Sequence, residues 1–226
     1  MGLKGLTIEG LDSGTKLFAV GDIHGCLLAL EALLEKLPIR WGKDFLIFLG
    51  DYIDRGPDSR RVLELIMELK EKYPDRVYPL KGNHEWMFER FLLGLDVEIF
   101  LYNGGSETLK NYFEEGKLNI PEEHKNLIKN LPLFLEVGSY FFVHAGVNPQ
   151  RTLEEQTEED LLWIRQKFYL YEGKYPKKII FGHTPFPEVL HLEDRIGIDT
   201  GCVYGGKLTA IELPEEKFYQ IECRGV

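Results

Sequence analysis

Cysteine is scarce in this chain of 226 residues: Cys26, Cys202 and Cys223 are the whole complement, and their spacings form no paired framework. Structural disulfides are therefore not expected. A thiol phosphatase is excluded as well, because its nucleophile needs an arginine at the far end of a short phosphate loop. The matching positions after Cys26 and Cys202 are Ala32 and Leu208, and only Arg224-Gly225-Val226 follows Cys223. An aspartyl-phosphate mechanism lacks its Asp-x-Asp after a strand. Long apolar runs are missing, so no membrane-spanning helix and no membrane partner is expected. Met1–Lys16 also lacks the apolar stretch of a signal peptide. Basic charge is short: 27 Lys and Arg face 37 Asp and Glu, for a net charge of −10. That balance excludes a nucleic-acid backbone as a general partner. With a hydrophobic fraction of 44%, the chain reads as one cytoplasmic, monomeric domain spanning 1–226, with a helical surface insert around 86–132.

What the chain does have is a set of short segments with one chemical theme: GDIHG at Gly21–Gly25, GDYIDRG at Gly50–Gly56, GNHE at Gly82–Glu85, HAG at His144–Gly146 and GHT at Gly182–Thr184. The first three are spaced by the length of a strand–helix–strand crossover. Lys16–Val20, Asp44–Leu49 and Arg76–Leu80 read as short apolar strands that run into them. Cys26–Leu37 and Ser59–Tyr73 carry apolar residues at helical spacing between them. Each segment thus falls at the carboxyl end of a strand, where open α/β sheets hold their ligands. Further on, Phe134–Val143, Lys177–Phe181, Arg195–Asp199, Lys207–Leu213 and Lys217–Glu222 read as strands. The expected fold is an α/β sandwich of type αββα, two mixed sheets face to face with helices outside.

The segments supply Asp22, His24, Asp51, Asn83, His144 and His183, an oxygen and imidazole set large enough for two divalent metal ions. Two such ions form a clamp for in-line displacement at phosphorus. A carboxylate has two oxygens, so Asp51 is the natural bridge. Without thiolate, the set suits manganese first, then iron or zinc. Three more residues fit chemistry better than a solvated loop. Arg55 is placed to grip phosphate oxygens, His84 to protonate the leaving oxygen, and Asp54 to pair with His84. Tyr204, in a Gly-rich loop, and Asn103 are candidate substrate contacts. His124 reads as a solvated helix residue, and His191 as a strand end without a role.

The whole array, covering positions 16 to 201, resembles the calcineurin-like metallophosphoesterase superfamily, and within it the bacterial phosphoprotein phosphatases that act on serine and threonine and often accept phosphotyrosine as well. The resemblance implies that Asp22, His24 and Asp51 hold one metal, and Asp51, Asn83, His144 and His183 the other. It implies His84 as general acid with Asp54 as its partner, Arg55 as a phosphate clamp, and Arg165 in Leu161–Arg165 as a second clamp. The implied reaction is phosphomonoester hydrolysis, by in-line attack of a hydroxide held between the metals, on phosphoprotein or a small phosphoester. Symmetrical dinucleoside tetraphosphate hydrolases share the first segment and a cysteine such as Cys26 directly after it, and are the alternative. The intact Asp54-Arg55-Gly56 favours the protein phosphatases. A catalytically silent phosphate-binding module is the reading from another class, but it should leave gaps among ligands or clamps, and none is visible.

Overall fold

The computed structural model describes residues 3–223. Two six-stranded sheets stack face to face. In the first, Leu17–Val20, Phe45–Phe48 and Val77–Pro79 are parallel neighbours. Lys207–Leu213 lies antiparallel beside Leu17–Val20 and also pairs with Asp199–Thr200 and Lys217–Glu222. The second runs Gly5–Ile8, Phe134–Val137, Tyr140–Val143, Lys178–Phe181, Arg195–Gly197, Leu190–His191.

Side chains that alternate along each strand sort into three apolar layers. Leu17 and Ala19 share a buried cluster with Leu135, Val137, Phe142, Ile180 and Ile196 of the opposite sheet. Phe18 and Val20 instead pack beneath the helices Leu27–Lys36 and Ser59–Lys72. On the far side, Phe141, Val143, Ile179 and Phe181 meet Leu161, Leu162 and Phe168 of the helices Glu158–Trp163 and Gln166–Tyr169. Strands covered on both faces need apolar residues throughout, which is why they read as continuous runs rather than alternations. Cutting Phe18 or Phe142 back to alanine would cost about 3–5 kcal/mol each. The αββα sandwich is the fold that forms.

Several details differ from the pattern in the sequence. Phe134–Val143 is not one strand but a hairpin, turned at Gly138 with φ of 55°. The run Arg195–Asp199 divides between the sheets: Arg195–Gly197 pairs with Lys178–Phe181, and Asp199–Thr200 with Lys207 and Leu208. The 86–132 region is helical apart from a short hairpin of Phe113–Glu114 with Lys117–Leu118, but Phe88, Phe100, Tyr112 and Ile128 are fully buried in the same cluster as Phe48 and Tyr52. His124, expected in solvent, is 2% exposed, with Nδ1 2.7 Å from the Tyr112 hydroxyl. Burial lowers its pKa. His191 is exposed and bonds Glu216.

Cys202 and Cys223 form a disulfide, contrary to expectation. The hairpin of Lys207–Leu213 with Lys217–Glu222 pairs Lys207 with Glu222, so its open end carries Cys223 back to the turn holding Cys202. Their sequence separation of 21 gives no hint of that meeting. Among the described residues, no helix is long and apolar enough to cross a membrane.

Candidate metal centre

Each segment of the sequence motif sits just past a strand end on one edge of the sandwich. Asp22 and His24 follow Leu17–Val20, Asp51 follows Phe45–Phe48, and Asn83 opens the helix after Val77–Pro79. His144 follows Tyr140–Val143 and His183 follows Lys178–Phe181 in the second sheet. The backbone there is forced into unusual shapes. His24, Asp51, Asp54, Arg55 and His183 all have φ between 47° and 72°, a region shared by only Asp96, Glu115 and Glu216 among the other described non-glycine residues. Left-handed backbone at residues with a Cβ costs free energy and persists where surroundings over-determine it. Two glycines make room for carboxylates: a Cβ on Gly182 would lie 2.1 Å from Asp22 Oδ1, and one on Gly82 2.2 Å from Asp51 Oδ1.

Two groups of donors converge on the two oxygens of Asp51. Oδ2 lies 3.4 Å from His24 Nε2 and 3.9 Å from His84 Nε2. Oδ1 lies 3.4 Å from His144 Nε2. His144 Nε2 is in turn 2.8 Å from Asn83 Oδ1 and 3.2 Å from His183 Nδ1. Asn83 Oδ1 is also 3.0 Å from His183 Nδ1. Asp22 accepts the backbone N–H of His183 at 3.0 and 3.1 Å.

The hydrogen bonds behind these atoms test whether metal ions fit. His24 Nδ1 donates to the carbonyl of Ile53 at 2.8 Å, and His144 Nδ1 to that of Leu49 at 2.9 Å. A carbonyl only accepts, so Nδ1 carries the proton and each Nε2 presents a lone pair. The His144 lone pair faces oxygens of Asn83 and Asp51 with no hydrogen between, while that of His24 faces Asp51 and the Arg55 guanidinium. Such a convergence of acceptors calls for cations, and the residues present fit two. Burial holds His24 and His183 well below the usual imidazole pKa and lowers His144 too, which favours the neutral form that a metal ligand needs. Burial opposes ionisation of Asp51, yet His144, His84, His24 and His183 around it hold its carboxyl below the usual range. Asp22 is pushed well above that range by burial and by Asp199 and Asp51 nearby, a repulsion that bound cations would relieve.

A second chain of bonds leads to His84. Its Nδ1 donates to Asp54 Oδ2 at 2.6 Å, and Thr108 Oγ1 donates to Asp54 Oδ1 at 2.6 Å. Burial disfavours the imidazolium, but Asp51 and Asp54 outweigh it and raise the His84 pKa. Arg55 Nη1 lies 2.6 Å from His24 Nε2, and its guanidinium stands 5.6 Å from the Tyr204 ring centre. Arg165 donates to the His183 carbonyl at 3.1 Å and to Thr184 Oγ1 at 3.2 Å. A cavity of about 200 Å³ is lined by His24, Asp51, Arg55, Asn83, His84, Asn103, Arg165, His183 and Tyr204. The Asn103 amide is tied to the Ile99 carbonyl, and Tyr204 is 63% exposed at the rim.

Three residues at this edge escaped the sequence. Asp199 lines the cavity, and burial lifts its pKa to about 6. It too follows an apolar strand, the signal shared by the other site residues. Glu85 accepts backbone N–H groups of Asp51, Tyr52 and Gly82 at 2.8, 2.8 and 2.9 Å, tying two motif loops together. Burial, then Asp51, lifts its pKa to about 7. Trp163 forms one wall, and nothing in its local sequence marks it.

Known proteins resemble this chain over most of its length. A bis(5'-nucleosyl)-tetraphosphatase PrpE (asymmetrical) of Anoxybacillus flavithermus is 31% identical over 230 residues, covering 87% of this chain and 89% of that one. The protein of the same name from Oceanobacillus iheyensis is 33% identical over 241 residues, covering 92% and 93%. A solved structure described as a candidate diadenosine tetraphosphatase superposes with a TM-score of 0.76 at 24% identity, covering 97% of this chain and 98% of that one. These names speak of dinucleoside tetraphosphates, where the sequence motifs pointed to phosphoprotein. The reaction class is common to both. The family model for calcineurin-like phosphoesterases matches residues 15–218, a span that holds both donor groups around Asp51, and the chain belongs to that family of metal-dependent phosphoesterases.

Proposed function

We propose that the chain hydrolyses dinucleoside tetraphosphates asymmetrically. Water adds to phosphorus, one P–O–P anhydride breaks, and a nucleoside monophosphate and a nucleoside triphosphate leave. The observation that carries this reading is the likeness, over about nine-tenths of both chains, to relatives named for that cut. In the proposed site Asp22, His24 and Asp51 hold one divalent cation, and Asp51, Asn83, His144 and His183 the other. When bound, the cations neutralise phosphate charge and lower the pKa of water. The set of imidazole, carboxylate and amide donors suits manganese, iron or zinc.

The chain's own groups do the rest. Arg55 and Arg165 line the cavity and bind non-bridging phosphate oxygens. His84 holds a proton on Nε2 for the departing oxygen, while Asp54, fixed by Thr108, keeps Nδ1 protonated and the ring oriented. A second reading, phosphoprotein hydrolysis, is favoured by the two arginines in one cavity, which match the three terminal oxygens of a monoester dianion.

A side-by-side assay with manganese decides. Diadenosine tetraphosphate should yield AMP and ATP, with kcat/KM above that of a phosphoserine peptide. Two ADP would mean a symmetrical cut. A tenfold preference for the peptide, about 1.4 kcal/mol in the barrier, would return the assignment to the phosphoprotein phosphatases. No hydrolysis of either, nor of nitrophenyl phosphate, would leave a silent phosphate-binding module.

A further inference from the structure

The metal-site cavity, at about 200 Å³, is smaller than the roughly 300 Å³ at which small-ligand sites usually begin. A dinucleotide must therefore extend beyond it. Next to it lies a cleft of about 520 Å³ lined by Trp86, Asp96, Ile99, Glu158, Glu159 and Trp163. Trp163 lines both spaces and stands edge-on to His183, with ring centres 6.3 Å apart.

We infer that this cleft is the subsite for the nucleoside next to the reacting phosphate, and that filling it sets the asymmetrical register of the cut. The inference rests on the dinucleotide reading and adds what that reading lacks, a place for the base. Its aromatic walls are fixed in advance. Trp86 and Trp163 cross at 86° with centres 5.8 Å apart. Trp86 donates from Nε1 to Glu158 Oε1 at 2.6 Å and carries the Arg90 guanidinium 4.9 Å from its ring centre. Rings held this way lose little freedom when a base stacks on them. Ile99, 49% exposed, adds an apolar side.

The charge in the cleft selects which part of the substrate enters. Asp96, Glu158 and Glu159 repel phosphate, so the uncharged end belongs there. Asp96 is paired with Arg90, and Glu158 with Trp86. Among the described residues Glu159 has no such partner, which leaves its oxygens to accept from ribose hydroxyls or a base amino group. Acidic and aromatic composition, a poor match for polyphosphate, is a good match for a nucleoside. The register follows from adjacency. An asymmetrical cut breaks the anhydride one phosphate from a nucleoside, whereas a symmetrical cut places another phosphate between. A subsite that shares a wall with the metal site favours the shorter distance.

The test compares wild type with Trp86→Leu, which removes a stacking face, and with Ile99→Trp, which fills the cleft from an exposed position. KM for diadenosine tetraphosphate should rise on the order of tenfold, the scale of one lost base–aromatic stack. ADP should also appear among the products. For nitrophenyl phosphate the change should be several-fold smaller. Adenosine should quench the indole fluorescence of wild type, and quench it less in Trp86→Leu. Unchanged KM and product ratio in both variants would overturn the subsite. So would a loss confined to a phosphopeptide with basic flanks, which would make the cleft a peptide groove. If wild type cleaves no dinucleotide yet adenosine quenches, the functional reading fails and the nucleoside site stands. Normal AMP and ATP release without quenching sinks the subsite alone.

Discussion

The sheet edge and the cleft beside it meet at Trp163 but are made differently. At the edge, His24, Asp51, Asp54 and His183 are buried and hold left-handed backbone; a carbonyl, an N–H group and a hydroxyl bond the first three from behind, and the backbone N–H of His183 donates to Asp22. In the cleft Asp96 shares that backbone, but Ile99, on the helix Val97–Phe100, and Glu158 and Glu159, on Glu158–Trp163, have regular backbone and exposed side chains. Positions that must converge on ions within tenths of an ångström need that over-determination. Positions that only shape a surface for a base do not. On the proposed reading, the reaction and its substrate are encoded in different parts of the molecule.

The largest expected effect breaks the edge. Asp51→Asn removes the carboxylate between the two donor groups, so turnover should fall on every substrate by on the order of 10³-fold, beyond the 10–100-fold typical of an outer partner. Metal content, measured by atomic emission, should fall with it. A variant with wild-type metal content and turnover within tenfold would show that Asp51 is not shared. Next comes His84→Asn, with a loss of roughly 100-fold and no loss of metal. That deficit should be greatest for alkyl phosphates and smaller for nitrophenyl phosphate or a dinucleotide anhydride, whose leaving groups need little protonation. An equal deficit across the three would remove His84 as the acid.

The smallest effect sharpens the contrast from the other side, at the base of the helical region that carries the cleft. His124 is buried beside Tyr112, and burial lowers its pKa below the usual value of about 6.5. The unfolded chain binds the proton more readily, so the contribution of neutral His124 is present above that value and is lost as pH falls through it. The Tm advantage of wild type over His124→Gln should therefore shrink between pH 7.5 and 5.5. A widening gap would mean that His124 is protonated and paired in the fold.

Much of the edge was legible because its signals are local. An apolar run of strand length followed by Gly-Asp, Gly-Asn or Gly-His announces both a strand and the group at its end, and Gly82 and Gly182 are required by carboxylates within 2.2 Å of where a Cβ would be. Asp199 also follows a strand, but it lacks the preceding Gly and lies where one apparent strand divides between two sheets, so its run was read as a single element. His124 was misjudged because its helix is polar in sequence and only Tyr112, in a turn 12 residues earlier, gives it a buried partner. The Asp54-Arg55-Gly56 motif favoured phosphoprotein because Arg55 reports on phosphate oxygens, common to both substrates, and not on what lies beyond them.

The sequence by itself determined the alternation of strand and helix, the donor types at the strand ends and hence metal-dependent phosphoester chemistry. Each depends on residues adjacent in the chain and on the apolar periods that sheets and helices impose. Tertiary structure decided that the oxygens of Asp51 face donors from both sheets, that Cys202 meets Cys223, and that Trp86, Ile99 and Trp163 close around one cleft. Those meetings depend on strand register and on how helices far apart in sequence pack, and no local pattern of residues specifies either.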